Sequence, residues 1–263
     1  IPFPILIVLL SPFFKRETVL LIYTTMIAVA SWMSMEGLPL FLEAFAAGVL
    51  VSVVLRNARY WGDFFKASLV VFASYVCFTI AFALQSGMVF DAIWLRRMGL
   101  LALNAIFVLL AFPLIPIFER FTGLLSPMTL IEWSDPSKPL LKRLSMEAPG
   151  TFQHSLQVAN LAEAAAAEIK ADPLLVKTAA MYHDVGKLKA PAYFIENQYP
   201  GENPHDGLEP EESARIITEH VTEGVRLAKK AGLPKELLAF IKTHHGTGTV
   251  RYFLHKAKTL NPE

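Results

Sequence analysis

The second half of the chain is organised around residues 173–186, which read PLLVKTAAMYHDVG. Pro173 suits the first turn of a helix, where its missing N–H is not needed, and the apolar residues behind it have helical spacing. Gly186 is a natural helix terminator. The pattern therefore predicts a helix that ends near His183 and Asp184, so that these two side chains lie at its carboxyl end.

Helices are predicted on both sides of this stretch as well. The apolar spacing and the Pro and Gly punctuation indicate helices over residues 152–170, over 211–231, with Gly232 as terminator, and over 234–244. Residues 190–210 contain four prolines and two glycines, which predicts an irregular surface loop. No strand pattern of convincing length is present, so the predicted fold class is all-α.

All seven histidines of the protein lie in this half of the chain. Those at helix positions or helix ends, together with one aspartate, are His154, His183, Asp184, His220, His244 and His245. A neutral imidazole binds iron, manganese or zinc well, and a carboxylate can bridge two cations through its two oxygens. The residues therefore predict a metal centre in which Asp184 is the natural bridge.

The first half of the chain is too apolar for a soluble domain. The whole protein is 54% hydrophobic with a mean hydropathy of +0.42, and its apolar residues are concentrated before Phe118. A helix needs about 20 largely uncharged residues to cross a membrane. Five segments come close to this requirement: Ile1–Phe14, Thr18–Met35, Leu38–Leu55, Ala67–Phe90 and Met98–Phe118. We interpret the first as the remainder of a truncated helix and the other four as complete spans.

These observations divide the chain into three parts. Residues 1–118 are expected to form a polytopic transmembrane bundle, residues 119–150 a connector rich in proline turns, and residues 151–263 an all-helical soluble domain. The chain begins with Ile1 rather than Met, so we expect it to be part of a longer protein. We also expect the last domain to be truncated at its carboxyl end.

Basic residues orient the predicted spans. They cluster in two loops on one side of the membrane, at Lys15 and Arg16 and at Arg56, Arg59 and Lys66. Lys and Arg are enriched in cytoplasmic loops. We therefore expect a multi-pass protein of the cell membrane whose soluble domain lies in the cytosol.

Two other charged sites in this half stand out. Arg96 and Arg97 lie near the outer start of the last span, against the orientation rule, and Glu43 lies inside a predicted span. A carboxylate within a span can serve signalling or transport. We favour the simpler interpretation that Glu43 faces other helices or reaches toward the helix end.

The charge balance indicates the class of partner. The net charge is +1, and the segment after Phe118 has 17 Lys or Arg against 18 Asp or Glu. Polymeric nucleic acid is held through its phosphates by a basic field, which is lacking here. We expect a small-molecule ligand, a lipid bilayer around the first half and, as a further hypothesis, a second copy of the chain. The single cysteine, Cys77, excludes a disulfide within one chain.

The string HDVGK at residues 183–187, with the other histidines around it, resembles the HD superfamily of metal-dependent phosphohydrolases. Longer strings resemble one branch of it, the seven-transmembrane HD family: APGTFQHSL at 148–156, YFIENQ at 193–198, NPHD at 203–206 and HHGT at 244–247. The likeness runs from Glu119 to the end of the chain. Over the membrane half it rests on topology alone.

The resemblance implies a phosphodiesterase that hydrolyses a cyclic dinucleotide, cyclic di-AMP, to the linear dinucleotide. It also implies two divalent transition-metal ions, iron or manganese. One ion would be held by His154, His183 and Asp184, and the second by Asp184, His220, His244 and His245. The family completes the first site with another aspartate beyond the double histidine. No acidic residue here fits, which we attribute to truncation.

Three residues are candidates for contact with substrate. Lys187 follows the metal pair closely enough to contact a phosphate oxygen, and the resemblance favours this role over a solvated lysine. His205 and Tyr193 are further candidates, although a turn or packing role fits them equally well or better. His255 lies among lysines and is interpreted as a surface residue.

Other functions stay open at this point. The metal pair would also serve a different nucleotide, although residues 246–249, GTGT, lack the Gly-Tyr-Pro signature of proteins that hydrolyse cyclic di-GMP. A second alternative is a membrane receptor that binds a nucleotide without turnover. The intact set of five histidines and Asp184 favours an enzyme.

Overall fold

The computed structural model describes residues 2–35, 37–57, 61–87, 92–198, 201 and 203–260. The chain forms two compact units, Ile1–Met128 and Thr129–Glu263. Within the described residues every regular element is a helix, so the predicted all-α class is confirmed.

The first unit contains six helices: α1 (Ile5–Leu10), α2 (Arg16–Trp32), α3 (Gly37–Val54), α4 (Trp61–Ser86), α5 (Ala92–Leu109) and α6 (Ala111–Thr122). Three stretches of them are long and apolar enough to cross a membrane. They are Gly37–Val54, Gly62–Gln85 and Trp94–Thr122. They coincide with three of the four complete spans expected from the sequence, and they indicate a membrane protein.

The fourth complete span expected from the sequence, Thr18–Met35, stays a prediction. Most of this region forms α2, which has 17 residues and is roughly 25 Å long at about 1.5 Å per residue. This helix is not among the three candidate spans. It also has Arg16 and Glu17 in its first turn. Helix α1, in the segment taken for a truncated span, has six residues.

Helices α2 and α3 pack closely because a glycine faces a tyrosine. Val19, Tyr23 and Ile27 recur every four residues along α2 and are almost completely buried. The Tyr23 hydroxyl donates a hydrogen bond to the carbonyl oxygen of Ala44 at 2.7 Å. A Cβ atom at Gly48 would lie 2.1 Å from the Tyr23 ring. Any larger residue at this position would therefore separate the two helices.

The second unit is built from the helices that follow: α7 (Pro127–Trp133), which begins just before it, α8 (Pro139–Glu147), α9 (Pro149–Glu168), α10 (Pro173–Tyr182), α11 (Pro210–Lys230), α12 (Lys235–Thr243) and α13 (Arg251–Leu260). Most of the segment predicted as a connector is thus helical. Residues 129–150 also belong to the second unit. A hydrogen bond joins this segment to α10, since the Tyr182 hydroxyl donates to the Trp133 carbonyl oxygen at 2.7 Å.

Helix α10 begins at Pro173 and ends next to His183, as predicted. The Asp172 carboxylate caps it by accepting from the backbone N–H groups of Leu174 and Leu175 at 3.0 and 3.1 Å. The helix ends at Tyr182, and a 3₁₀ turn, Val185–Lys189, follows.

Gly186 is needed for close packing rather than for helix termination, which corrects the sequence interpretation. Its φ is not positive. A Cβ atom there would lie 1.8 Å from the carbonyl oxygen of His220 on α11. Gly232, in contrast, has φ +79° after α11, as a terminating glycine should. Between α10 and α11, the described part of the loop contains three further 3₁₀ turns: Pro191–Tyr193, Ile195–Asn197 and Pro204–Gly207.

The contact at Gly186 leads to a stability prediction. Gly186→Ala should destabilise the second unit by about 1–3 kcal/mol, because the new methyl group collides with backbone atoms that cannot move independently. Hydrogen-exchange mass spectrometry should show faster exchange in peptides from α11. Gly207→Ala is the matched control, since a Cβ atom there meets nothing within 4 Å. Equal exchange in both variants would contradict the packing argument.

Candidate metal centre

The predicted ligands come from four helices and converge on one place. His154 lies in α9 and His220 in α11, whereas His183 follows the last residue of α10, and His244 and His245 follow the last residue of α12. The helices are held by a buried core that includes Leu144, Ala179, Leu237 and Ile241, all fully buried. The framework of the ligands is therefore rigid, with two of the five histidines inside helices and three at helix ends.

Asp184 is common to two groups of ligand atoms. His154, His183 and Asp184 form one group, and Asp184, His220, His244 and His245 form the other. Within each group the ligand atoms all lie within 4.8 Å of one another. The structure thus brings together all six residues that the sequence predicted as ligands, in the same two groups.

The Asp184 carboxylate is almost completely buried and surrounded by nitrogen atoms. Its exposed fraction is 3%. Oδ2 lies 3.1 Å from His183 Nε2 and 2.8 Å from Lys187 Nζ. Oδ1 lies 3.4 Å from His220 Nε2 and 3.5 Å from His244 Nε2. Each carboxylate oxygen therefore faces a different side of the cluster.

Three of the histidines are oriented by the same local device. Nδ1 of His183 lies 2.7 Å from the carbonyl oxygen of Ala180, and Nδ1 of His244 lies 2.8 Å from that of Ile241. His220 Nδ1 makes the equivalent contact with the carbonyl three residues before it. A carbonyl only accepts, so Nδ1 carries the proton. In the neutral ring, Nε2 then carries a lone pair, and this lone pair is directed at Asp184.

This arrangement fits a cation. His220 Nε2 and His244 Nε2 are 3.2 Å apart, and neither neutral ring in this tautomer can donate to the other. Asp184 Oδ1 faces both atoms and has no hydrogen-bond donor among the described residues. Converging lone pairs on buried groups are costly unless a positive charge lies between them. The mixture of imidazole and carboxylate ligands suits divalent transition metals.

The pKa shifts in the cluster differ from one histidine to another. Burial alone would lower the pKa of His183, but its contact with Asp184 raises it. Burial lowers the pKa of the His220 imidazole below its ordinary value, and burial and the neighbouring His244 do the same for His245. Burial alone would raise the pKa of Asp184, but the nearby imidazoles and the Lys187 ammonium outweigh it and lower that pKa. At neutral pH two histidines are therefore neutral and the aspartate is ionised, which is the state that binds metal.

Lys187 bridges the cluster to a glutamate that the sequence reasoning did not single out. Its Nζ atom lies 2.8 Å from Asp184 Oδ2 and 2.7 Å from Glu196 Oε1. It also lies 4.9 Å from the centre of the Phe194 ring. The Lys187 side chain is only 12% exposed. Lys187 is thus held at the edge of the metal centre by two carboxylates and an aromatic face.

Glu196 is itself clamped to the start of α9. The Thr151 hydroxyl donates to Glu196 Oε1 at 2.9 Å, and Asn197 Nδ2 donates to the same hydroxyl at 2.8 Å. The Thr151 backbone N–H donates to Asn197 Oδ1 at 3.1 Å. A Cβ atom at Gly150 would lie 1.8 Å from the Glu196 carbonyl oxygen. In the sequence, the only sign of these contacts is the pair of strings GT at 150–151 and EN at 196–197. Their interaction becomes visible only in the fold.

The remaining candidates lie outside the two ligand groups. His205 is 6% exposed, its Nε2 contacts the Tyr193 carbonyl oxygen at 2.9 Å, and its ring packs against Tyr193 and Phe253. This favours the packing role over substrate contact for His205. Tyr193 lines a cavity of about 210 Å³ together with Lys189 and the ligand residue His220. His255 is exposed, in agreement with the interpretation as a surface residue.

The comparisons with known families cover both units. Residues 151–260 match the family model described as HD domain, and residues 1–126 match the model of a 7TM receptor with intracellular HD hydrolase. The resemblance drawn from the sequence motifs is confirmed. The chain thus combines an HD domain with a membrane unit similar to that of 7TM receptors with an intracellular HD hydrolase.

Curated relatives are similar to part of the chain. Cyclic-di-AMP phosphodiesterase PgpH of Listeria monocytogenes is 48% identical over 149 residues, which are 57% of this chain and 21% of that protein. PgpH of Bacillus subtilis is 48% identical over 145 residues, 55% of this chain and 20% of that protein. Ribonuclease Y of Desulforudis audaxviator is 35% identical over 106 residues, 40% of this chain and 16% of that protein. The chain therefore spans about a fifth of the length of these relatives.

Two solved structures are also similar. The crystal structure of the PgpH HD domain of L. monocytogenes is 49% identical and covers 46% of this chain and 58% of its own, with a TM-score of 0.45. The crystal structure of that domain in complex with cyclic-di-AMP is 48% identical and covers 49% of this chain and 61% of its own, with a TM-score of 0.48.

The Lys187–Glu196 pair leads to a pH prediction. Burial alone would raise the pKa of Glu196, but the hydrogen bond and charge of Lys187 lower it below its ordinary value. A lowered folded-state pKa stabilises the protein above the unfolded-state pKa, about 4.3, and this contribution is lost as the pH falls through the folded-state value. Glu196→Gln should therefore cost about 1 kcal/mol at pH 7 and less in acid.

Thermal unfolding midpoints between pH 3 and pH 7 measure this effect. The gap between the wild type and Glu196→Gln should narrow as the pH falls. Glu147→Gln is the control, because Glu147 forms an exposed pair with Arg143, and exposed pairs contribute little. A constant gap at all pH values would show that Glu196 does not act through its charge.

Proposed function

We propose that the second unit is a metal-dependent phosphodiesterase that hydrolyses cyclic di-AMP to the linear dinucleotide. The observation that carries this proposal is the sharing of Asp184 between two groups of ligand atoms. One carboxylate within reach of two adjacent sites is the arrangement that a two-metal hydrolase needs. The proposal includes two divalent ions per chain, iron or manganese.

The reaction needs an activated water and a neutralised phosphodiester. Two bound ions supply this chemistry, because they lower the pKa of a coordinated water and stabilise charge on the phosphate. In the hydrolysis the water oxygen bonds to phosphorus and one ribose ester P–O bond breaks. The leaving ribose oxygen takes up a proton, which replaces the one that the water loses. The role of Asp184 and the five histidines is to hold the ions with fixed spacing.

Lys187 is proposed to contact the substrate phosphate. Its ammonium group lies at the edge of the cluster and is fixed by Glu196, so it is a preorganised positive charge beside the place where phosphate charge develops. Interaction with Asp184 raises the pKa of Lys187 even though burial alone would lower it, which keeps the side chain charged at neutral pH. Tyr193 stays a weaker candidate for stacking on a base.

The substrate proposal rests on the relatives and on charge. Two relatives that are 48% identical to this chain over 149 and 145 residues are named cyclic-di-AMP phosphodiesterases. Ribonuclease Y, at 35% identity, raises RNA as an alternative substrate. The nearly equal numbers of basic and acidic residues after Phe118, 17 and 18, favour a small molecule over a polymer of phosphates.

The proposal also includes the location of the second unit, the role of the first unit and the oligomeric state. The second unit is proposed to lie in the cytosol, on the side of the basic loops at Lys15 and Arg16. The first unit would then anchor or regulate it. A homodimer remains a hypothesis from the sequence.

A histidine substitution separates an enzyme from a receptor. His244→Ala should lower the rate of cyclic di-AMP hydrolysis by about a hundredfold or more, because a ligand of the bridged site is lost. His255→Ala is the control, since His255 is exposed and outside both ligand groups. Activity would be followed as the linear dinucleotide by chromatography, in parallel with cyclic di-GMP and a short RNA.

The outcomes of this assay are distinct. Hydrolysis of cyclic di-AMP that is lost in His244→Ala and kept in His255→Ala supports the proposal. Faster hydrolysis of the RNA would favour the ribonuclease alternative. Tight binding of cyclic di-AMP without turnover in metal-loaded protein would contradict the enzyme proposal and support a receptor.

Lys187→Gln tests the phosphate contact separately. It should lower kcat/KM by about tenfold or more while the metal content stays unchanged, because it removes a charge and no ligand. Elemental analysis of the same preparation measures the metal. Loss of metal together with activity would show that Lys187 only supports the ligand cluster.

A further inference from the structure

The Lys187 ammonium lies on the carboxylate oxygen that faces the first ligand group. This group consists of His154, His183 and Asp184. Asp184 Oδ2 lies 3.1 Å from His183 Nε2, so this oxygen faces the first group. The same oxygen lies 2.8 Å from Lys187 Nζ. A fixed positive charge is therefore beside the place where a divalent ion would bind.

This position sets two like charges against each other. The Lys187 side chain is 12% exposed and Asp184 is 3% exposed, so salt and water screen charges here much less than at the surface. Like charges at short distance in such surroundings repel each other strongly. By itself, the ammonium group would therefore weaken the binding of a divalent ion to Asp184.

Glu196 offsets the charge of this ammonium group. Its Oε1 atom lies 2.7 Å from Lys187 Nζ. An ionised carboxylate and an ammonium group of opposite unit charge together present no net charge to the metal centre. Among the described residues, Glu196 belongs to neither ligand group. Its contribution to the site is therefore its charge and not a bond to the ion.

The hydrogen bonds around Glu196 keep it in position. The Thr151 backbone N–H donates to Asn197 Oδ1, which leaves Asn197 Nδ2 to donate to the Thr151 hydroxyl. The hydroxyl then donates its own proton to Glu196 Oε1 at 2.9 Å. Thr151 is fully buried, so water does not compete for these bonds. Glu196 Oε1 thus accepts from both Lys187 and Thr151, and two donors on one oxygen favour the ionised carboxylate.

We propose that Glu196 is the charge-balancing residue of the first metal site, which neutralises Lys187 so that Asp184 Oδ2 can bind a divalent ion beside the ammonium group. Thr151 and Asn197 are the residues that position Glu196 for this task. The inference rests on the metal ions of the proposed function and does not depend on the substrate.

Manganese titration of the metal-free whole chain in detergent measures the effect, with free manganese followed by electron paramagnetic resonance. The first ligand group has three residues and the second has four, so the weaker binding step is assigned to the first group. His154→Ala should abolish this step and so confirm the assignment. Glu196→Gln should weaken the same step about tenfold or more, because a positive charge without compensation is left beside the site.

The stronger step is an internal control. It belongs to the second group, whose members His220 and His244 face the other oxygen of Asp184, Oδ1. Its affinity should change less in Glu196→Gln. Glu163→Gln is the matched control variant, since Glu163 pairs with Lys177 at 2.6 Å and lies outside both ligand groups. It should leave both steps unchanged.

A double variant separates the effect of charge from a folding defect. Lys187→Gln combined with Glu196→Gln removes both charges, so it should restore the weaker step to within a few-fold of the wild type. A second substitution would not repair a damaged fold.

The hydroxyl of Thr151 is tested by two variants that keep the side chain small. Thr151→Val removes the hydroxyl with little change of shape and should weaken the first site severalfold, because Glu196 loses a hydrogen bond that fixes it. Thr151→Ser keeps the hydroxyl and should bind manganese as the wild type does.

The outcomes separate this inference from the proposed function. Affinity that falls in Glu196→Gln and returns in the double variant supports the inference. Equal affinities of the wild type and Glu196→Gln, or a loss that the double variant does not restore, would overturn it and leave the proposed function in place. A wild type that binds no manganese would overturn both.

Discussion

The second unit depends on one buried carboxylate. Asp184 is 3% exposed, and its two oxygens face three imidazole Nε2 atoms and the Lys187 ammonium at distances of 2.8 to 3.5 Å. A charge at this depth is destabilising unless a positive charge lies beside it, such as the Lys187 ammonium or a bound cation. The end of α10, the turn after it, α11 and the end of α12 together supply the groups that face the carboxylate. The packing of these helices therefore positions the groups around Asp184, and the contacts of Asp184 in turn hold the helices together.

The ligands owe their directions to ordinary helix geometry. Each of His183, His220 and His244 contacts a backbone carbonyl three residues earlier, so the helix itself sets the tautomer and points Nε2 inward. Close packing then brings the helices together, since Gly186 lets the turn after α10 approach His220 on α11. The clamp of Thr151 on Glu196 fixes the lysine on the other side.

Much of the site was predictable because metal ligands belong to few residue types. Five histidines and Asp184 were identified from residue chemistry and motif resemblance, and the structure brings all six together. Glu196 was not identified, because its partner Thr151 lies 45 positions away and neither residue has a distinctive chemistry. The role of Gly186 was misinterpreted for a similar reason. A tight tertiary contact and a helix terminator require the same residue type.

In the membrane unit the limits of prediction were different. Three of the spans expected from hydropathy coincide with helices that are long and apolar enough to cross a membrane, but hydropathy did not show that α2 ends after 17 residues. It also marked Glu43 and Arg97 as exceptions without relating them. Their meeting in one cavity depends on the rotation of α3 and α5, which is determined by packing.

Electron paramagnetic resonance of the manganese-loaded chain would show whether Asp184 joins two metal ions. A bridging carboxylate couples the spins of two adjacent ions. We expect two manganese ions per chain with an exchange-coupled spectrum in the wild type, and loss of the coupling in Asp184→Asn. A single isolated manganese signal in the wild type, or coupling that survives in Asp184→Asn, would contradict it.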